Sequence, residues 1–261
     1  MTRRCLLCFV LWTLVAPSPA AAQTGQPQLS EAARACFGAG DAIGGGGAPA
    51  AAVAACGEAI AEQPEDTRVL AALLSERGIA YRVQRDFARA LVDFDKALSL
   101  QPDSVTYANM RAWAFREMGN VEAAEAAYSE ILENESAREQ VTTDRAIWQA
   151  YLSRCVVRQD LGKYELSLGD CVVALQGSRN SDSLYFAARA YTEMGRCGEA
   201  VPLLDEALLL QPAAARVFEE LGYALVCSGD RQRGVSVLDQ GLARYPDDPG
   251  LRAMRQWAAS F

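Results

Sequence analysis

Leu74-Ser75-Glu76-Arg77-Gly78-Ile79-Ala80-Tyr81, followed by Phe87-Ala88-Arg89-Ala90-Leu91-Val92-Asp93-Phe94-Asp95-Lys96-Ala97-Leu98 and then Gln101-Pro102, is the stretch from which the rest of the 261-residue chain can be read. Its marks return along the sequence. The small residue at Gly78 recurs as Ala112, Cys155, Ala188 and Gly222, at spacings of 34, 43, 33 and 34 residues. A second small residue, Ala90, recurs as Ala124, Ser167, Ala200 and Gly234. Between these two marks a glycine appears as Gly119, Gly162, Gly195 and Gly229, where a positive φ ends a helix at little cost. A proline follows as Pro102, Pro212 and Pro246, but not after the second and third units. Several marks travelling together at one period distinguish a structural repeat from chance alanine spacing.

The stretch closely resembles a tetratricopeptide repeat, and the resemblance extends over nearly all of the chain beyond its first residues. It implies an all-α fold: a right-handed superhelical stack of antiparallel helix pairs, a TPR solenoid, with a C-terminal capping helix. In such a pair Gly78 and Ala90 let the backbones approach, Tyr81 and Phe94 fill the layer, Ala97 makes room for the neighbour, and Pro102 ends the second helix. Residues 66–248 form five units. The third departs most, with Cys155 and Arg158 in place of the usual small and aromatic residues, while Gly162-Lys163-Tyr164 and Ala174-Leu175 stay in register. Its spacing exceeds a standard unit by nine residues, spread over 133–144, where lengthened helices joined by an exposed turn are expected, with Ser136 and Thr143 as caps.

Residues 23–65 form a degenerate helical hairpin, Leu29 to Asp41 against 50–62. The Gly44-Gly45-Gly46-Gly47 turn reads as a flexible insertion rather than a phosphate cradle, because no lysine or hydroxyl follows it. Residues 249–261 form the capping helix, with Leu251, Met254, Trp257 and Ala258 on one face.

Composition narrows the function classes. The chain is 51% hydrophobic and 22% charged, the balance of a folded protein, and it has no histidine. That removes the commonest general base and metal ligand and every imidazole triad. Lys96 and Lys163 are the only lysines, and no Lys-bearing phosphate-loop motif occurs. Net charge is -8, which disfavours a nucleic-acid partner. Arg3-Arg4, an apolar run from Cys5 to Ala16 and the small residues Ala20-Ala21-Ala22 read as a signal peptide over 1–22, with the run too short to favour a stable membrane anchor. Export implies a periplasmic or secreted protein. Its removal takes two arginines and no acid, leaving 23 basic against 33 acidic residues, a net charge of -10.

Cys5 and Cys8 depart with the leader, and six cysteines remain, for which sequence alone allows 15 pairings. The register implied by the repeat resemblance pairs Cys155 with Cys171 across one hairpin and Cys36 with Cys56 across the N-terminal one. It places Cys197, at the start of a second helix, beside Cys227, near the end of the next first helix. The competing readings are free buried thiols and a zinc site; zinc wants four clustered ligands, whereas these fall pairwise in different layers. Export favours disulfides.

The same resemblance implies that first helices line a concave groove holding a peptide or a partner helix. By register the groove positions are Ser75, Ile79 and Arg82; Asn109, Trp113 and Arg116; Leu152, Val156 and Gln159; Tyr185, Arg189 and Glu193; and Glu219 and Tyr223. Aromatic residues beside arginines are the types that dominate binding hot spots. Arg116 and Arg189 are expected to select an acidic or C-terminal segment. The lysine and asparagine clamp that family members use on a partner's carboxylates is missing, which argues against a chaperone-tail binder. An ordinary solvated face is the plainer reading of the same residues.

No cofactor is called for. The alternative to a protein-interaction scaffold is a carboxylate-dependent hydrolase using Asp93 with Asp95, or Glu219 with Glu220, but such neighbours diverge on a helix and suit solvated faces better. Asp247-Asp248 lacks further ligands at coordination spacing.

Overall fold

The computed structural model describes residues 29–44, 47–133, 145–210 and 214–260. Among the described residues it contains thirteen α-helices and no strand. They are α1 Glu31–Gly44, α2 Pro49–Ala61, α3 Thr67–Val83, α4 Phe87–Leu100, α5 Val105–Glu117, α6 Val121–Glu133, α7 Arg145–Asp160, α8 Tyr164–Gly177, α9 Ser181–Glu193, α10 Cys197–Leu210, α11 Ala215–Cys227, α12 Arg231–Arg244 and α13 Pro249–Ala259. Consecutive helices pack on one another throughout, and α1, α3, α5, α7, α9 and α11 also touch the next odd-numbered helix along the stack. The fold is therefore an all-α stack of helix pairs. Ser136, Thr143 and nearly all of the 133–144 insertion lie outside the described residues, as does Pro212. What precedes Cys155 is visible from Arg145: α7 has 16 residues, against 13 in α5, α9 and α11.

Within each pair the contact is set by the small residues. Gly78, Ala112, Cys155, Ala188 and Gly222 are all buried, as are their partners Ala90, Ala124, Ser167, Ala200 and Gly234. A Cβ at Gly78 would lie 2.7 Å from the Phe94 ring, closer than atoms can approach. The ring takes the space that a side chain would need.

Five of the inter-helix turns share one hydrogen-bond pattern. The residue after the turn donates its backbone N–H to a carbonyl five positions back: Asp86 to Tyr81, Asn120 to Phe115, Lys163 to Arg158, Arg196 to Tyr191 and Asp230 to Leu225, all at 2.8–3.0 Å. This closes the first helix and leaves the preceding residue left-handed. Gly119, Gly162, Gly195 and Gly229 take φ between +70° and +96°. In the first unit the slot belongs to Arg85, at φ +62°. Asp86, Asn120 and Asp230 then cap the second helix by accepting a backbone N–H three residues on.

The third unit replaces apolar filling with charge. Arg158 stands where Tyr81 stands in the first unit, and it pairs with Glu125 of α6 at 3.1 Å and Asp170 of α8 at 2.7 Å. Arg154 holds the same Asp170 with two bonds, 2.9 and 2.7 Å, in a buried position. Arg77 and Asp93 form the equivalent fork in the first unit, at 2.8 and 2.7 Å. Burial opposes the charge on Glu125, but bonds from Lys163 and Arg158 prevail and hold its carboxyl below the ordinary range.

Three disulfides join the pairs that the repeat register implies: Cys36 to Cys56, Cys155 to Cys171 and Cys197 to Cys227, with Cα separations of 4.5, 5.4 and 5.9 Å. At the C-terminal end Leu251 and Ala258 of α13 are buried against the last layer, with Met254 and Trp257 packed at its edge.

Two outcomes follow for stability. Arg85→Gly should raise it by about 1 kcal/mol, and Gly195→Ala should lower it by about 1–2 kcal/mol, since a left-handed residue with a Cβ carries that penalty; denaturant midpoints check both. For a chain beginning at Gln23, thiol titration in denaturant without reductant should find essentially no free thiol. About six would contradict the three bridges, each of which contributes roughly 3 kcal/mol on a loop-closure estimate.

Candidate functional site

The first helices α5, α7, α9 and α11 bring most of the register-predicted groove residues into two adjoining clefts. The larger, about 390 Å³, is lined by Asn109, Trp113 and Arg116 of α5, Leu152 and Val156 of α7, and Phe186 of α9, with Tyr128 of α6 also in its wall. The smaller, about 240 Å³, is lined by Tyr185 and Glu193 of α9, Glu219, Glu220 and Tyr223 of α11, and Met254 of α13. Arg216 of α11 lines both. Ser75, Ile79, Arg82, Gln159 and Arg189 line neither cleft. Ser75 is buried and donates to the Met110 sulfur at 3.1 Å, so it is packing between α3 and α5.

Several polar residues on this face also act as struts between successive first helices. Arg82 donates to Glu117 at 2.8 Å, and its guanidinium lies 4.2 Å from the centre of the Trp113 ring. Asn109 donates to the Ala146 carbonyl at 2.8 Å, and Arg116 pairs with Asp160 at 2.9 Å. Gln159, buried, donates to the Phe186 carbonyl at 2.6 Å. Arg216 pairs with Asp182 at 2.6 Å and stacks 4.8 Å from the Tyr185 ring centre. Each bond joins one repeat to the next, so the groove floor is also the seam of the stack. Tyr185 lines the smaller cleft but is only 9% exposed, set edge-on to Phe186 at 5.2 Å. Tyr223 lies 5.4 Å from Trp257 in a tilted stack. Trp113, 47% exposed, is the large apolar side chain of the groove that stays open.

The charge expected of Arg116 and Arg189 also shifts. Arg116 is engaged by Asp160, and Arg189 has Glu193 at 3.9 Å. The smaller cleft is acidic. Glu219 is half-buried and hydrogen-bonded to Asp248; burial first, then the neighbouring Asp248 charge, pushes its carboxyl above the ordinary value of 4.5. Burial likewise pushes Glu220 up against the hydrogen bond from Thr192. Thr192 has one hydroxyl proton and two acceptors in reach, the Arg189 carbonyl and the Glu220 carboxylate. Burial pushes the Tyr128 phenol to about 12, so it stays a neutral hydroxyl in the wall of the larger cleft.

The carboxylates weighed for catalysis are disposed differently. Asp93 is held by Arg77 in the buried fork, and Asp95 stands 3.5 Å from Arg111. Asp248 caps α13, accepting from Leu251 at 2.9 Å, and Asp247 pairs with Arg252.

As groove residues, sequence reasoning missed Gln149, Asp182 and Arg216, which each lie six residues before the small residue of their unit, and Ser153, Phe186 and Glu220, which lie two before it. Extending the helix face one further turn toward the N-terminus would have found the first three, and widening it by one residue would have found the other three.

A tetratricopeptide repeat family profile matches residues 75–141 and 185–249, just over half of the sequence. The chain belongs to the tetratricopeptide repeat family. No curated protein matches it in sequence. Among solved structures, PilW, described as a widely conserved type IV pilus biogenesis factor, superimposes with a TM-score of 0.70 at 16% identity, covering 86% of this chain and 98% of its own. PilF of Pseudomonas aeruginosa gives 0.69 at 15% identity over 87% and 97%. YrrB, described as a TPR protein with an unusual peptide-binding site, gives 0.60 at 17% identity over 77% and 97%. At such identities the likeness is one of fold.

The raised carboxyl of Glu219 has a measurable sign. Its folded form holds a proton that the unfolded chain releases near 4.5, so the native state binds more protons and stability falls as pH rises above that value. Glu219→Gln, which can still donate to Asp248, should flatten that fall and leave the protein at least as stable at pH 7. Urea denaturation at pH 4, 5.5 and 7 checks this; a steeper fall in the variant would contradict it.

Proposed function

We propose that this chain is a non-catalytic adaptor of the cell envelope that holds a peptide or a partner helix in the groove of its first helices. The observation that carries the reading is Trp113. It stands nearly half exposed at the wall of an approximately 390 Å³ cleft, while its ring is braced by Arg82 from the preceding repeat. An exposed indole held rigid beside Leu152, Val156 and Phe186 has lost most of the freedom it would otherwise surrender on binding. Large aromatic side chains of this kind are the anchors of protein interfaces.

The compartment is read from two features. Residues 1–22 have the basic, apolar and small-residue order of an export signal. Three disulfides suit an oxidising location. Among the described residues no helix is long and apolar enough to cross a membrane. The fold-level likeness to a pilus biogenesis factor and to a peptide-binding TPR protein supports an adaptor role.

Site-specific photocross-linking from Asn109 and Gln149, which both line the larger cleft, identifies what the groove holds. Trp113→Ala should weaken that partner by about 2 kcal/mol or more, while its melting temperature shifts little, because half of the side chain is in solvent already. Tyr185→Ala is the contrasting variant: its ring is buried, so it should lower stability as well as capture. Undiminished capture by Trp113→Ala would move the binding surface elsewhere.

A further inference from the structure

We propose that the acidic end of the groove, between α9, α11 and α13, receives an arginine or lysine side chain, so that the bound segment carries a basic residue close to an apolar one seated by Trp113. This rests on the groove reading above and specifies the chemistry of its occupant. Glu219 and Glu220 face a cleft of about 240 Å³, and no arginine or lysine among the described residues forms an ion pair with either. The one guanidinium in the wall, Arg216, is turned toward Asp182 and stacked on Tyr185 and Phe186, so its charge is already answered. Glu193 adds a third carboxylate; Arg189, 3.9 Å from it, also acts on Glu220 through space, so this one cation is shared among several acids.

The remaining walls, Tyr185, Tyr223 and Met254, are suited to the aliphatic stem of a long cationic side chain and to its charged head over a ring face. The donor set favours an organic cation over a metal ion: among the described residues no three carboxylate or cysteine side chains come together as a metal site. Burial and the neighbouring Asp248 already raise the carboxyl of Glu219, and a cation entering the cleft would supply the charge that it lacks. The two clefts meet at Arg216, so one extended segment can occupy both.

The test is selection of random dodecapeptides displayed on phage against the oxidised full chain, followed by synthesis of the enriched peptides. The expected winners pair an apolar residue with arginine or lysine. Replacing that basic residue with alanine should weaken binding roughly tenfold or more, and the same replacement should have almost no effect on Glu219→Gln/Glu220→Gln protein of unchanged melting temperature. Such a loss of coupling assigns the basic side chain to these carboxylates. Winners that are acidic or indifferent to charge, yet are lost on Trp113→Ala, overturn the basic preference and leave the groove standing. Winners unaffected by Trp113→Ala, or no enrichment at all, overturn the groove reading and this inference with it.

Discussion

Everything in this stack depends on how closely two helices of one hairpin can approach. Where Phe94 lies against Gly78 there is no room for even a methyl group, and the same holds where Leu238 meets Gly222. That contact fixes the angle of each pair. The pair in turn fixes where the next first helix lands, and the groove is the row of first helices so placed. A larger residue at these points would therefore act at a distance, by tilting one hairpin against the rest and opening the seam of inter-repeat bonds on the groove floor.

That seam explains why charged residues recur on the concave face without being available there. Arg82, Arg116 and Arg216 each span from one repeat to another. In a linear array each unit touches only its neighbours, so register between units has to be specified locally. Directional, charge-assisted bonds do this better than apolar packing, which tolerates sliding. The buried forks of Arg77 with Asp93 and Arg154 with Asp170 perform the same task inside a hairpin.

The fold was legible because its determinants are steric and periodic: a residue that must be small, a turn that favours glycine, and a pair of cysteines on facing helices all leave marks at fixed spacing. Arg85 shows the limit of such marks, since it occupies the left-handed slot without being glycine. The groove was legible only as a face. Register placed Asn109, Trp113 and Tyr223 along it, but exposure depends on neighbours a repeat away, and that is why Tyr185 proved to be buried while Trp113 stayed open. Charge was the least legible property. Whether an arginine is spent on a strut or left for a ligand depends on a partner 34 to 44 residues distant, which no local pattern records.

The disulfides have a mechanical consequence. They close loops separated by 20, 16 and 30 residues, all local and none overlapping. A chain pulled from its two ends can therefore lengthen only through the segments outside those loops, and roughly 200 Å of contour stays locked even after every helix has opened. The stretch from α3 to α6 carries no bridge among its described residues. Under tension that stretch is the longest yielding section, alongside α9, α12 and α13, which also lie outside the loops.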